Sequence, residues 1–253
     1  MIKLMKGDCL ERMKEIPDNS VDMILCDLPY GVTVNELDII IPFDSLWEQY
    51  NRITKDNSAI LLFGQGIFYI DLVNSNRKMF KYDLVWDKVL TSGFLNANRM
   101  PLRQHEQIAV FYNNQPTYNP QMTKGLPNHF RKADDEEIES NNKNYGSYKR
   151  IEQKYDGMKY PTSIISYEKP HPSIAKHRTE KSVPMLEYLI KTYTDKGMVV
   201  LDNCMGSGTT GLACINTERD FIGIEKDENY FKVSCDRIRD NLPMFRKKDL
   251  VIV

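Results

Sequence analysis

The chain has 253 residues, 34 basic and 35 acidic side chains and a formal net charge of −1, which is long enough for one α/β domain with an appended segment or for two small domains. That balance gives no global pull toward a polyanion, so any contact with nucleic acid has to use local patches. No stretch approaches the roughly 18 apolar residues that a bilayer-crossing helix needs, and the start MIKLMKGDCLERMKEIPD lacks the apolar core of a signal peptide, which predicts a soluble cytoplasmic protein with no membrane partner.

In chain order, KLMKGD reads as a first strand that runs into GDCLE at 7–11. VDMILCD has the β-branched and apolar density of a central strand, yet it ends abruptly at Asp27, Pro29 and Tyr30 in DLPYG. Such residues also serve as plain turn punctuation, and the tetrapeptide alone does not decide between the two roles. An amphipathic helix, FDSLWEQYNRI (43–53), is followed by three more strands: SAILLFG, YDLVWDK and IAVFYNN.

From 115 to 165 the character changes to a polar, Asn- and Tyr-rich run with almost no apolar periodicity. Its acidic centre, ADDEEIES, reads equally as a solvated loop. Its flanks interleave Lys124, Arg131, Lys132, Lys143, Lys149, Arg150 and Lys154 with Tyr145, Tyr148 and Tyr155, a mixture suited to phosphates and bases. A helix, KSVPMLEYLIKTYT (181–194), then leads to the strand MVVLDN, the strand FIGIEKD and a last helix, ENYFKVSCDRIRDNL (228–242). Alternation of this kind predicts a mostly parallel sheet covered by helices, and no internal repeat is visible.

The five cysteines (Cys9, Cys26, Cys204, Cys214, Cys235) contain no CxxC pair and sit among apolar neighbours, as reduced thiols do. The four histidines lack ligand spacing; RQHEQIAV carries Ala109 where a zincin would have its second His. No metal site is expected.

Between the last two strands, Gly206, Gly208 and Gly211 form GxGxxG, with the preceding strand ending at Asp202, a helix starting at Thr209 and the following strand ending at Glu225. Glycines let backbone approach a ligand, a helix N-terminus offers free amides, and an acid at the next strand end accepts from ribose hydroxyls. The pattern predicts a nucleoside-containing cofactor; a turn with only a packing role is the competing explanation. Only residues 228–253 follow Asp227, so the sheet must be completed by strands that precede the loop. That permuted order disfavours a nicotinamide enzyme, which starts its fold with this unit.

With DLPY first and DNCMGSGTTG last, the chain resembles the β group of amino-directed DNA methyltransferases over almost its whole length. GDCLE, LLFGQGIFY, YDLVWDK, RQHEQIAVFY and HRTEKSVPMLEYLIKTYT are similar to further motifs of that family, in its order. The resemblance implies a Rossmann-like S-adenosylmethionine-dependent methyltransferase fold: an α/β domain from 1–114 and 166–253 with a mostly parallel seven-stranded sheet, and an inserted target-recognition region at 115–165. It implies DNA as substrate and S-adenosylmethionine as cofactor. Homodimers and a cognate restriction endonuclease are partners found in such systems.

By resemblance, Asp27, Leu28, Pro29 and Tyr30 are the catalytic residues. The Asp27 carboxylate and Leu28 carbonyl would accept from the exocyclic amino group, whose lone pair is delocalised into the ring, and would stabilise the positive charge that develops there. Tyr30 would stack on a base flipped from the duplex. The implied cofactor-binding set is Asp8 and Cys9 near the adenine, Glu225 near the ribose, Asp27, Asp202, Asn203, Met205, Gly206, Ser207, Gly208, Thr209 and Thr210 around the loop, and Lys226. Thr179 and Lys181 complete it, Lys181 on the methionine carboxylate; Asp202 has an equal claim as a capping or turn residue.

The chain departs from the family pattern at Leu28, where the family has a first proline, and at Arg178 and Ser182 in the later helix motif. The Leu28 carbonyl is kept, while the stiffness of the turn is reduced. Carbon-5 cytosine methylation needs a Pro-Cys nucleophile, which the chain lacks. Asp at the first position favours adenine N6 over cytosine N4, by analogy with the family's adenine members. A protein-glutamine methyltransferase would have the unpermuted order, and a DNA-binding module without turnover would retain cofactor binding alone.

Overall fold

The computed structural model describes residues 1–32, 38–125, 137–138, 148–149, 157–169 and 180–253. Thr179, Arg178, Arg131, Lys132, Lys143, Arg150, Lys154, Tyr145 and Tyr155, named above, lie outside the described residues.

The described chain forms β1 (Ile2–Lys6), α1 (Cys9–Met13), β2 (Val21–Cys26), α2 (Phe43–Ile53), β3 (Thr54–Gly64), α3 (Gly66–Ser75), β4 (Phe80–Ser92) and β5 (Arg103–Phe111). Four two-residue strands follow, β6 (Thr123–Lys124), β7 (Glu137–Ile138), β8 (Tyr148–Lys149) and β9 (Met158–Lys159), and then β10 (Ile164–Ser166). The remainder is α4 (Val183–Tyr193), β11 (Val199–Asp202), α5 (Thr209–Asn216), β12 (Asp220–Glu225), α6 (Glu228–Asn241) and β13 (Leu250–Ile252).

The main sheet has nine strands in the order β10-β4-β5-β3-β2-β11-β12-β1-β13. Its seven contiguous central members are the seven strands expected from the sequence, and the count is corrected by one short strand at each edge. Three-residue strands such as IIS and LVI are too short to show a period of two, which is why the sequence hides them. All pairings in this sheet are parallel except those of β5, which runs antiparallel to both β3 and β4.

Central strands are buried on both faces, and their alternate residues feed two cores. Met23 and Leu25 of β2, with Ala59, Leu61 and Phe63 of β3, pack under α4, α5 and α6 through Met185, Leu189, Ala213, Phe231 and Ile238. Ile24 and Cys26, with Ile60 and Leu62, pack under α1, α2 and α3 through Met13, Leu46, Trp47, Tyr50, Phe68 and Leu72. The result is three layers, with the early helices on one face of the sheet and the late helices on the other.

By contacts the chain divides into a unit of Met1–Asn119 with Ser163–Val253 and a second unit of Pro120–Thr162. In the second unit β6 pairs antiparallel with β9 and β7 with β8, so Glu137 and Ile138 of the acidic run lie in a strand. Ser163 and β10 belong with the sheet: the Val85 N–H donates to the Ser163 carbonyl at 2.8 Å, and Trp86 Nε1 donates to the Tyr167 carbonyl at 2.8 Å.

Candidate active site

Four neighbouring parallel strands, β2, β11, β12 and β1, deliver an acid at or just beyond their carboxyl ends: Asp27, Asp202, Glu225 and Asp8. The carboxyl edge of such a sheet is where α/β folds bind ligands, because the strand ends and following loops leave a crevice there.

Around the glycine loop the side chains divide into supports and open groups. Asp202 is buried; its carboxylate accepts from the Thr210 hydroxyl at 2.6 Å and from the Cys204 N–H at 3.1 Å, and burial pushes its pKa up to about 6. It is a turn and helix-start support. Ser207 and Thr209 are also buried, within 3.4 Å of each other and turned toward Arg237, whose guanidinium lies 3.1 Å from Thr209 Oγ1 and 2.6 Å from Glu180. Asn203 Oδ1 accepts from the Tyr50 hydroxyl at 2.6 Å, which ties α2 to the loop.

Gly206 has φ +50° and nothing within 4 Å of where a Cβ would stand, so its backbone faces open space. Gly208, at φ +77°, and Gly211 are packing glycines: added Cβ atoms would meet Ser234 at 3.0 Å and Ile238 at 2.7 Å, respectively. Gly206 therefore presents an open backbone edge, while the other two seat α5 against α6. Glu225 accepts from the Gly206 N–H at 2.8 Å and the Asp227 N–H at 2.7 Å, one on each oxygen, and both oxygens keep lone pairs for further donors. Burial raises its pKa. Asp8 caps α1 by accepting from the Leu10 N–H at 3.0 Å, and Lys226 lies 3.5 Å from its other oxygen. Met205 is anchored by its N–H on the Ile224 carbonyl at 3.0 Å. Cys9 is buried, and a hydrogen bond with the Cys204 thiol together with burial pushes its pKa up, so it stays a neutral thiol. An open glycine edge beside a carboxylate with spare acceptors fits a nucleoside cofactor.

At the end of β2, the Asp27 carboxylate accepts from the Tyr30 hydroxyl at 2.7 Å through one oxygen and lies 3.0 Å from the Lys181 ammonium through the other. Burial, and then the negative charge of Asp27, raises the Tyr30 pKa, which keeps that hydroxyl a donor. Phe68 stacks on the Tyr30 ring with centroids 4.7 Å apart and planes 25° from parallel. The Leu28 side chain is buried in the core under α1 to α3, so packing anchors the turn that a first proline would have stiffened. Beyond Tyr30, the N–H groups of Gly31 and Val32 donate to Asp38 at 2.8 and 2.9 Å.

Lys181 is buried between two carboxylates and two aromatic rings. Its ammonium lies 2.6 Å from Glu106 as well as 3.0 Å from Asp27, over the rings of Phe63 at 4.7 Å and Trp86 at 5.6 Å. Lys181 thereby joins an ion chain, Lys88–Glu106–Lys181–Asp27, in which Lys88 lies 3.1 Å from Glu106. Burial works against the Lys181 charge, yet Asp27 and Glu106 outweigh it and raise its pKa. Glu106, Lys88, Tyr50 and Phe68 were not singled out in the sequence. The visible signal was an acid entering the apolar strand in RQHEQIAV, where attention to metal spacing falls on His105 instead. Among the described residues no group of His, Cys, Asp and Glu could hold a metal ion.

Comparison with known proteins places this geometry. The model of a DNA methylase family, the N6 and N4 amino-methyltransferases, matches residues 21–236. The chain is 26% identical to the type II methyltransferase M.HinfI of Haemophilus influenzae, covering 95% of this chain and 69% of that protein. It is also 26% identical to the DNA adenine methyltransferase YhdJ of Escherichia coli K12, covering 93% of this chain and 82% of that one. Among solved structures it resembles the complex of M1.HpyAVI with S-adenosylmethionine (TM-score 0.62, 25% identity, 94% of this chain and 100% of the other). The fold alone is shared with the cytosine-N4-specific PvuII methyltransferase (TM-score 0.66, 15% identity, 98% of this chain and 91% of the other). With its permuted order, its open glycine edge and a match over most of its length, the chain belongs to the N6/N4 DNA methylase family, as an S-adenosylmethionine-dependent enzyme of the β group that methylates an exocyclic amino group in DNA.

Proposed function

We propose that the base modified is adenine, at N6, and that Asp27 is the group on which the chemistry turns. The observation that carries this reading is the Asp27 carboxylate itself, set one strand away from the glycine loop and held from both sides by Tyr30 and Lys181. S-Adenosylmethionine supplies the electrophilic methyl group. Gly206 and Glu225 would hold the cofactor through the open backbone edge and the carboxylate, which would take the ribose hydroxyls, and Asp8 would take its adenine.

The work of the chain's residues is electrostatic and positional. Asp27 and the Leu28 carbonyl accept from the two amino hydrogens, which favours a more tetrahedral nitrogen and stabilises the charge that it gains; one preorganised acceptor of this kind contributes about 3–4 kcal/mol. Tyr30 and Lys181 fix the Asp27 oxygens before the base arrives, so no reorganisation is needed at the moment of transfer. The face of the Tyr30 ring opposite Phe68 is the stacking surface for the flipped base.

The adenine assignment is supported by Asp at the first position of the tetrapeptide and by the likeness to a relative named as an adenine methyltransferase. The alternative product is N4-methylcytosine. Incubating the protein and cofactor with unmethylated DNA, then digesting to nucleosides for mass spectrometry, separates the two: N6-methyladenine is expected, and N4-methylcytosine as the sole product would overturn the assignment. The unit Pro120–Thr162 is the proposed target-recognition region, and a cognate endonuclease is the proposed partner by analogy with relatives named type II methyltransferases.

A further inference from the structure

The β4–β5 hairpin continues past the sheet. Register places Asp87 opposite His105 at about the level of the DLPY turn, and residues 88–104 extend beyond it on the carboxyl side. From His105 to Arg103 the strand spans roughly 7 Å, and residues 93–102 carry the arm further as a 3-10 turn and a loop. The base of the hairpin is connected to the reacting centre, because Glu106 reaches Asp27 through a single lysine.

The hairpin is built to point somewhere. Between the pairs Asp87–His105 and Ser92–Arg103, residues 88–91 of β4 face only Gln104, a bulge that redirects the strand. Val89 sits in it at φ +64°, a conformation that costs a β-branched residue strain. Asp87 fastens the bulge by accepting from the Val89 N–H and from Gln104 Nε2, each at 2.9 Å. At the tip a left-handed Gly93 starts a single 3-10 turn, Phe94–Asn96. Phe94 and Leu95 are 78% and 83% exposed, with Met100 and Leu102 exposed behind them. No acidic residue occurs from 88 to 105, whereas Arg99 and Arg103 are exposed and have no acidic partner among the described residues.

Adjacent apolar side chains at the end of a cationic arm, beyond the edge that carries the catalytic acid, have one consistent occupant. We propose that this hairpin is a wedge for duplex DNA: Phe94 and Leu95 enter the base stack beside the target and fill the space left by the flipped nucleotide, while Arg99 and Arg103 hold the flanking phosphates. Flipping costs unpairing and unstacking, and an inserted apolar group offsets part of that cost. The absence of acids over the arm, in a chain whose net charge is close to zero, favours a polyanion over a second copy of the chain. The proposal rests on the reading of this protein as a DNA methyltransferase acting on a flipped base.

The test compares wild type with Phe94→Ser/Leu95→Ser on an oligonucleotide duplex carrying the site that the wild type methylates. The target base is either paired normally or opposite an abasic position, which removes most of the cost of flipping. The double variant is expected to lose roughly tenfold to a hundredfold in kcat/KM on the paired duplex and less than about threefold on the abasic one. Calorimetric affinity for S-adenosylmethionine should be unchanged, as suits substitutions at exposed positions. Equal losses on both duplexes, or no loss on either, would overturn the wedge. A loss accompanied by dissociation of a dimer in sedimentation would also overturn it, assigning the tip to a second copy. If the wild type methylated no DNA at all, the parent reading would fail instead.

Discussion

Glu106 shows how a single buried side chain ties together the ion chain that ends on Asp27. Burial alone would raise its pKa, but the Lys181 and Lys88 ammonium groups outweigh burial and bring it down from the ordinary 4.5 to about 2. A folded-state pKa below the unfolded one means stability that is present in full above about pH 4.5 and is lost as the pH falls toward 2. Glu106→Gln should therefore destabilise the protein at pH 7 by about 3–5 kcal/mol, the usual cost of breaking a buried pair. The gap in melting temperature to wild type should narrow steadily below pH 4.5; a gap independent of pH would show that the carboxylate is not ionised in the fold. Gly206 makes a second prediction at this scale. Gly206→Ala places a Cβ at φ +50°, costing about 1–2 kcal/mol of strain, and puts a methyl group on the open edge. Titration should show cofactor affinity falling by more than tenfold, on the order of the 1.4 kcal/mol that corresponds to each factor of ten. Unchanged affinity would move the cofactor away from this edge.

The glycine loop depends on supports from distant elements. The hydrogen bond from Tyr50 to Asn203 joins residues 153 positions apart in the buried floor of the loop. Tyr50→Phe leaves the Asn203 oxygen without that donor, and denaturant unfolding should register a loss of about 1–3 kcal/mol; a loss near zero would mean that the contact is not made. Such supports were not legible in the sequence, because a Tyr in an amphipathic helix carries no mark of the partner it will meet. What was legible was local. The helix at 43–53 matches α2 residue for residue, because the apolar side of FDSLWEQYNRI has a clear helical period. The strand–loop–strand frame from Val199 to Glu225 was also visible, since each strand ends in an acid and glycines mark the turn. The roles within that frame were harder to read: Gly206, Gly208 and Gly211 look alike in sequence, and only the packing of α6 separates the open one from the two that seat a helix. Lys181 likewise sat in a recognisable motif, yet its partner Glu106 is 75 residues away and could not be inferred from spacing.

At the scale of the whole molecule, the permuted order is what brings the two informative stretches together. β2 leads directly into Asp27 and β11 ends on Asp202, and these strands are direct neighbours in the sheet although most of the chain separates them. In the chain, the unit Pro120–Thr162 falls between β5 and β10, and its described strands, β6 to β9, pair among themselves. Replacing residues 120–162 by a flexible Gly/Ser linker should leave a folded protein that binds S-adenosylmethionine and has lost sequence-specific methylation. Retained site specificity, read by sequencing the modified DNA, would place recognition elsewhere. The central claim concerns Asp27, and it is tested most directly by labelled methyl transfer from S-adenosylmethionine to unmethylated DNA by wild type and Asp27→Ala, with calorimetry of cofactor binding on both. The account predicts transfer by the wild type, none above background by the variant, and cofactor affinities within about threefold of each other; transfer that persisted in Asp27→Ala would contradict it.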